Sequence, residues 1–265
     1  MRRLLIIAFL VGVFTSISVA QTALNDYKKM DYISVEKENI QQFLNLFEQE
    51  LQKTYKKLVE SGAIKSWALY HAKFPGGEEN NYDFISIITA SDVDSLLNLF
   101  NDIKDPPFIP ASFADNLSQK VALNCSVIKS EIWKVENIAS GEKADKAPGK
   151  YVSMDYMEVA PGKGADYLML EEEIAKPIHQ ERINRGKMDE WHAYSLIAPS
   201  GLQYGYNFGT ANFFENVSDL EFGFTDEIMK QTMDENADVT ELFDTIYETR
   251  DRMRVELWER YLYVN

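Results

Sequence analysis

Met30-Asp31-Tyr32-Ile33-Ser34-Val35 returns 124 residues later as Met154-Asp155-Tyr156-Met157-Glu158-Val159. The same shift carries Gly62 onto Gly186, Trp67 onto Trp191 and Tyr70 onto Tyr194. It also carries Pro75 onto Pro199, Gly77 onto Gly201, Tyr82 onto Tyr206 and Phe84 onto Phe208. No gap is needed from Met30 to Val93, which meets Val217. Near the ends, Glu131-Ile132-Trp133 answers Glu256-Leu257-Trp258, one residue out of step. Solenoid repeats have periods of roughly 20–50 residues. This repeat is therefore two copies of one small domain.

Each half reads strand, helix, strand, strand, helix, strand. In the first half, strands are predicted at 28–35, 64–74, 82–89 and 127–135. Ile40, Phe43, Leu44, Phe47, Leu51, Tyr55 and Leu58 share one face of the first helix by their spacing of three and four. Gly62 and Gly186 are placed to end these helices. Val93–Phe100 and about 113–122 read as helical, around a break at Pro106, Pro107 and Pro110. In the second half, Pro161-Gly162 is read as opening a helix, and strands are predicted at 151–159, 188–197, 204–213 and 252–263. A βαββαβ unit is a ferredoxin-like antiparallel sheet with both helices on one face. The predicted fold is thus α+β. Repeat 1 (27–138) and repeat 2 (151–265), joined by a linker at 139–150, bring their bare sheet faces together as one pseudo-twofold β-barrel with helices outside.

The first twenty residues read differently. Arg2-Arg3, an apolar run from Leu4 and small residues at Ser18 and Ala20 match a signal peptide cleaved after Ala20. The sequence therefore predicts a secreted or periplasmic protein with no membrane association after cleavage. Loss of Arg2 and Arg3 takes the formal charge from −15 to −17. Such an acidic surface argues against nucleic acid as a partner. The single cysteine, Cys125, allows no internal disulfide and is read as a small buried residue.

Strand alternation sorts residues by face. Ile33, Val35, Met157, Val159 and the aliphatic residues of the last strand fit the helix side. The barrel lumen then collects Tyr32, Tyr156, Glu158, Glu131, Glu256, Arg254, Trp133 and Trp258, and Tyr194 is a further candidate ligand contact. An aromatic lining with a few polar groups suits a small apolar or aromatic ligand. Glu256 or Glu131, held among rings, is a candidate general base. The competing reading is a filled barrel in which Glu256 and Arg254 pair. The repeated Gly-Trp-Tyr spacing is read as a helix stop followed by a packed strand.

The three histidines, His71, His179 and His192, meet Ser195, Tyr55 and Ala68 in the other copy, so no symmetric metal site is encoded. His192 is a candidate proton shuttle or haem ligand. Glu171-Glu172-Glu173 reads as a solvated helix start. No phosphate loop, nucleophile elbow or zinc spacing occurs, and no cofactor or metal is predicted. Function is expected where the copies differ, chiefly at Glu158, His192 and Arg254.

Val159-Ala160-Pro161-Gly162-Lys163, followed by a helix carrying Tyr167, resembles the strand-to-helix junction of antibiotic-biosynthesis-monooxygenase-like and NIPSNAP-like domains. The first half lacks the Pro-Gly. As architecture, the whole mature chain resembles the dimeric α/β-barrel superfamily. That resemblance implies a barrel and a cleft, among relatives that include cofactor-free monooxygenases and haem proteins. The expected functions are small-molecule binding, a cofactor-independent monooxygenase or isomerase, or a structural module with a filled barrel. The expected assembly is a monomer or homodimer.

Overall fold

The computed structural model describes residues 26–75, 81–99, 109, 121, 125–141, 147–233 and 239–265. The leader, the Pro-rich break, nearly all of the helix expected at 113–122 and Gly76-Gly77 lie outside them. Eight strands occur: β1 Tyr27–Ser34, β2 Ser66–Phe74, β3 Phe84–Ala90, β4 Ser126–Ser140, β5 Tyr151–Val159, β6 Glu190–Ala198, β7 Phe208–Phe214 and β8 Arg250–Val264. They close in the order β1-β3-β2-β8-β5-β7-β6-β4. Within each half this is the ferredoxin-like order. The long last strand of each half also pairs with the other half, β4 with β6 and β8 with β2. The two sheets therefore share one closed hydrogen-bond ladder, which leaves no edge.

The helices lie outside. In the first half, α1 (Ile40–Leu46) runs through a π-turn (Phe47–Leu51) into α2 (Gln52–Glu60). The predicted apolar face is buried on the sheet, with Phe43, Phe47, Leu51 and Tyr55 fully covered. The short α3 spans Val93–Leu99. In the second half, α4 (Gly164–Leu170), a π-turn (Glu171–Ala175) and α5 (Lys176–Asn184) repeat the arrangement. Then come α6 (Asp226–Thr232) and α7 (Val239–Thr249). Gly62 (φ +74°) and Gly186 (φ +67°) end α2 and α5 in the left-handed conformation that favours glycine.

Three boundaries differ from expectation for physical reasons. Pro161-Gly162 forms a turn, with Gly162 at φ +84°, and α4 starts only at Gly164. β7 starts at Phe208 because a short 3-10 turn, Leu202–Tyr204, and left-handed Gly205 precede it. β4 runs to Ser140, past the expected start of the linker. A bulge between Val135 and Asn137 changes its face. Trp133 and Val135 point into the lumen, whereas Asn137 reaches Glu172 and Ala139 packs with Trp191. The strand thus leaves its own half and passes under the helices of the other.

The end of the linker at Gly149 is also docked. A Cβ on Gly149 would lie 2.5 Å from the Phe214 backbone nitrogen. Gly149→Ala is therefore expected to destabilise the protein by about 1–3 kcal/mol through overpacking against rigid backbone. Urea unfolding of the two proteins measures it; an unchanged midpoint would show that the linker can lift away.

Candidate functional site

Alternation in β1, β4, β5 and β8 does bring most of the expected lumen residues together. Glu131 accepts hydrogen bonds from Tyr32 (2.8 Å), Trp133 Nε1 (2.9 Å), Tyr204 (2.6 Å) and Tyr206, and pairs with Lys129 (3.0 Å). Glu256 accepts from the Tyr82 hydroxyl (2.5 Å), Arg254 Nε (2.8 Å) and Trp258 Nε1 (2.9 Å). The Tyr32 and Tyr156 hydroxyls meet at 3.0 Å, and the Arg254 guanidinium lies 4.0 Å from the Tyr156 ring centre. Burial pushes the Glu131 carboxyl up, but Lys129 and the tyrosine hydroxyls outweigh it and hold the group below the ordinary range. Burial raises Glu256 despite Tyr82 and Arg254. Both carboxylates are saturated with donors from their own walls. Glu158 stays apart, half-buried at the end of β5 opposite Asp251.

One mouth of the barrel holds a cavity of about 360 Å³, lined by Lys28, Tyr70, Glu190, His192, Tyr194 and Trp258 among others. His192 is engaged at both ring nitrogens, by Tyr194 at 3.0 Å and by Glu190 at 3.1 Å. Burial lowers its pKa, so it is neutral near pH 7. Neither nitrogen offers a lone pair to a haem iron in this arrangement.

A larger cleft of about 660 Å³ lies elsewhere, between the outer face of the second half's sheet and its helices. Its walls are Tyr167, Glu171, Ala175, His179 and Arg182 from α4 to α5, Asp155, Trp191 and Asn212 from the sheet, and Phe224, Phe243 and Arg250 beyond. Among the described residues, the matching positions of the first half carry packed apolar side chains. At the repeat shift, Phe47 stands for Glu171, Leu51 for Ala175, Leu58 for Arg182 and Ile88 for Asn212. Tyr55 stacks on Trp67 at 4.4 Å in the first half, and His179 stacks on Trp191 at 5.1 Å in the second. Trp67 donates to Ser86, whereas the buried indole N–H of Trp191 has no hydrogen-bond partner among the described residues. The repeated Gly-Trp-Tyr spacing thus splits by face: the tryptophans pack beneath helices, and Tyr70 and Tyr194 line the lumen.

Electrostatics separates the cleft further. Burial pushes Glu171 up to about 7, opposed by the Tyr167 hydroxyl and Arg250. Burial takes Asp155 to about 6 although Arg252, Arg250 and Asn212 oppose it. Burial, and then the charge of Arg182, lowers His179 to about 3, so this imidazole is neutral. Glu171 corrects the expectation of a solvated helix start. The helix begins at Gly164, which puts the acidic run in its middle, and Glu171, four residues after buried Tyr167, shares its sheet-facing side at 7% exposure. Cys125 is half-buried, and burial raises its thiol to about 12, as suits a packing residue.

No family profile matches the chain, and no curated protein matches it by sequence. Solved structures do match in shape. A candidate monooxygenase from Fusobacterium nucleatum aligns at TM-score 0.55 and 11% identity, over 91% of this chain and 94% of the other. A candidate monooxygenase from Lactobacillus acidophilus NCFM aligns at 0.54 and 10%, over 91% and 96%. An anthrone oxidase-like protein aligns at 0.51 and 9%, over 90% and 92%. The chain carries the dimeric α/β-barrel fold. Within that barrel, sequence reasoning assembled the lumen cluster and passed over the cleft. The missed signal lay in the repeat columns where a buried apolar residue of one copy faces a charged one in the other.

Two outcomes follow. Tyr82→Phe strips donors from buried Glu256 and should cost about 1–3 kcal/mol in urea unfolding; no loss would remove this bond from the barrel's stability. Glu171 binds its proton more tightly folded, near pH 7, than unfolded, near 4.5. Wild-type stability therefore falls as pH rises through that window. Glu171→Gln should be more stable than wild type by about 2–3 kcal/mol at pH 8, with the advantage gone at pH 4. A pH-independent difference between the two would contradict the burial of this carboxyl.

Proposed function

We propose that this is an exported protein that binds a small, flat, largely apolar molecule in the cleft of its second half. One observation carries the reading. At matched positions the first half fills the space between sheet and helix with Phe47, Leu51, Leu58 and Ile88, and the second half replaces them with Glu171, Ala175, Arg182 and Asn212 around about 660 Å³ of space. An aromatic wall with a few convergent polar groups is what a small-molecule site requires. The lumen lacks this character at its centre, where Glu131 and Glu256 line neither cavity.

A second reading is favoured by Glu171. A carboxyl near pKa 7 that lines an aromatic cleft suits proton abstraction from an activated substrate at neutral pH. This would make the protein a cofactor-independent oxygenase or isomerase whose base sits in the cleft. The names of the structural neighbours support testing anthrone, a flat tricyclic ketone, as a probe. The test is calorimetric binding of anthrone, with oxygen uptake followed in parallel. Ala175→Leu with Asn212→Ile closes the cleft and should abolish binding, while His192→Ala should leave it intact. Binding that follows His192 instead would move the site to the barrel mouth. Oxygen uptake lost in Glu171→Gln with binding retained would support the enzyme; no uptake by wild type would leave the binding protein.

A further inference from the structure

Arg182 is 5% exposed and lies on α5 facing the sheet, yet no carboxylate among the described residues comes within ion-pair distance of it. Its Nη1 meets the Nδ1 of neutral His179 at 3.3 Å, its charge lies over the Phe214 ring at 5.5 Å, and its Nε has no hydrogen-bond partner among the described residues. A buried cation with no counter-ion in contact is costly and is seldom kept without a use. The nearest acid, Asp155, acts on it only from beyond ion-pair distance. Asp155 accepts from Asn212 at 3.0 Å and lies 3.9 Å from Arg252, and Glu171 lies by Tyr167.

Three further groups in the same walls are buried without a hydrogen-bond partner among the described residues: Trp191 Nε1, Arg250 Nε and the Tyr167 hydroxyl. With Arg182 Nε, three of these four groups are N–H donors and the hydroxyl can donate as well, so what completes them is an acceptor. The first half shows that the fold itself does not need them. There Leu58 replaces Arg182, Ser86 satisfies the Trp67 indole, and buried Asp31 has Lys29 at 2.6 Å, where the second half has Ser153. Arg254 in the lumen also has an unpaired nitrogen, but its charge is already paired with Glu256 at 2.8 Å.

We propose that the ligand of this cleft is an aromatic anion, a flat ring system bearing a carboxylate or phenolate oxygen that is seated on Arg182. The inference rests on the cleft being the binding site. It gives the cleft an end that recognises charge, at Arg182 with Trp191, and aromatic walls for the ring. A bidentate carboxylate matches the guanidinium fork. The protein's overall acidity opposes anions at long range, so selectivity for one must come from these buried donors.

The test compares 2-naphthoate with its neutral isostere 2-naphthamide by calorimetry at pH 7.5, on the full mature chain. Wild type should bind the carboxylate at least about tenfold more tightly. Arg182→Leu, which restores the first half's residue, should bring naphthoate down to the naphthamide level and leave naphthamide unchanged. The same variant should melt at a higher temperature than wild type without ligand, and Arg182→Lys should retain part of the preference. Equal binding of the two probes by wild type, which needs no variant, overturns the proposal. So does a preference that survives Arg182→Leu. Failure of both probes to bind, or binding that persists in Ala175→Leu with Asn212→Ile, overturns the cleft itself, a result distinct from equal binding.

Discussion

Two buried carboxylates hold the barrel together by reaching across it. Glu131 belongs to the first half and is held by Tyr204 and Tyr206 of the second; Glu256 belongs to the second and is held by Tyr82 of the first. Each also takes the indole N–H of the tryptophan two residues on, Trp133 or Trp258, along the same strand face. A buried carboxylate with unfilled lone pairs costs far more than a normal hydrogen bond returns. The halves cannot separate without exposing both acids' partners at once. The crossing of β4 and β8 into the other half's sheet follows the same logic, because those strands carry the two acids.

This constraint explains which parts of the structure were legible in the sequence. The duplicated Met-Asp-Tyr, the glycine helix stops and the period-two patterns dictate the two ferredoxin-like units, and alternation alone turned Tyr32, Tyr156, Glu131, Glu256, Trp133 and Trp258 inward. Such features depend on local spacing. The cleft was not legible in that way, because it depends on helical phase. One π-turn in each half shifts the face that follows by a fraction of a turn. Glu171 lies beneath the helix because it follows buried Tyr167 by four residues, although an acidic run taken as a helix start reads as exposed. His192 and Arg254 differ between copies, as expected of functional positions, but their nitrogens are largely occupied by neighbours within the barrel.

The division of labour between halves follows from the same duplication. A barrel needs both sheets, but the space between a sheet and its helices belongs to one half alone. That space can change without disturbing the crossed bonds at the centre. The second half has used this freedom. It has exchanged dispersion and burial for buried polar groups, at Glu171, Arg182 and Asn212. The first half supplies the stability of a close-packed core, with Trp67 stacked on Tyr55 and Phe43, Phe47, Leu51 and Tyr55 of the helix face covered.

The filled half also carries information about shape. Its sheet and helix follow the same backbone plan as the cleft, down to the π-turn. Phe47, Leu51, Leu58 and Ile88 together form a cast, in side chains, of the volume that the second half leaves vacant. A molecule that fits the cleft should resemble that cast in bulk and depart from it where Leu58 gives way to a guanidinium. The duplicated chain thus holds, in one copy, a covalent template for what the other copy binds.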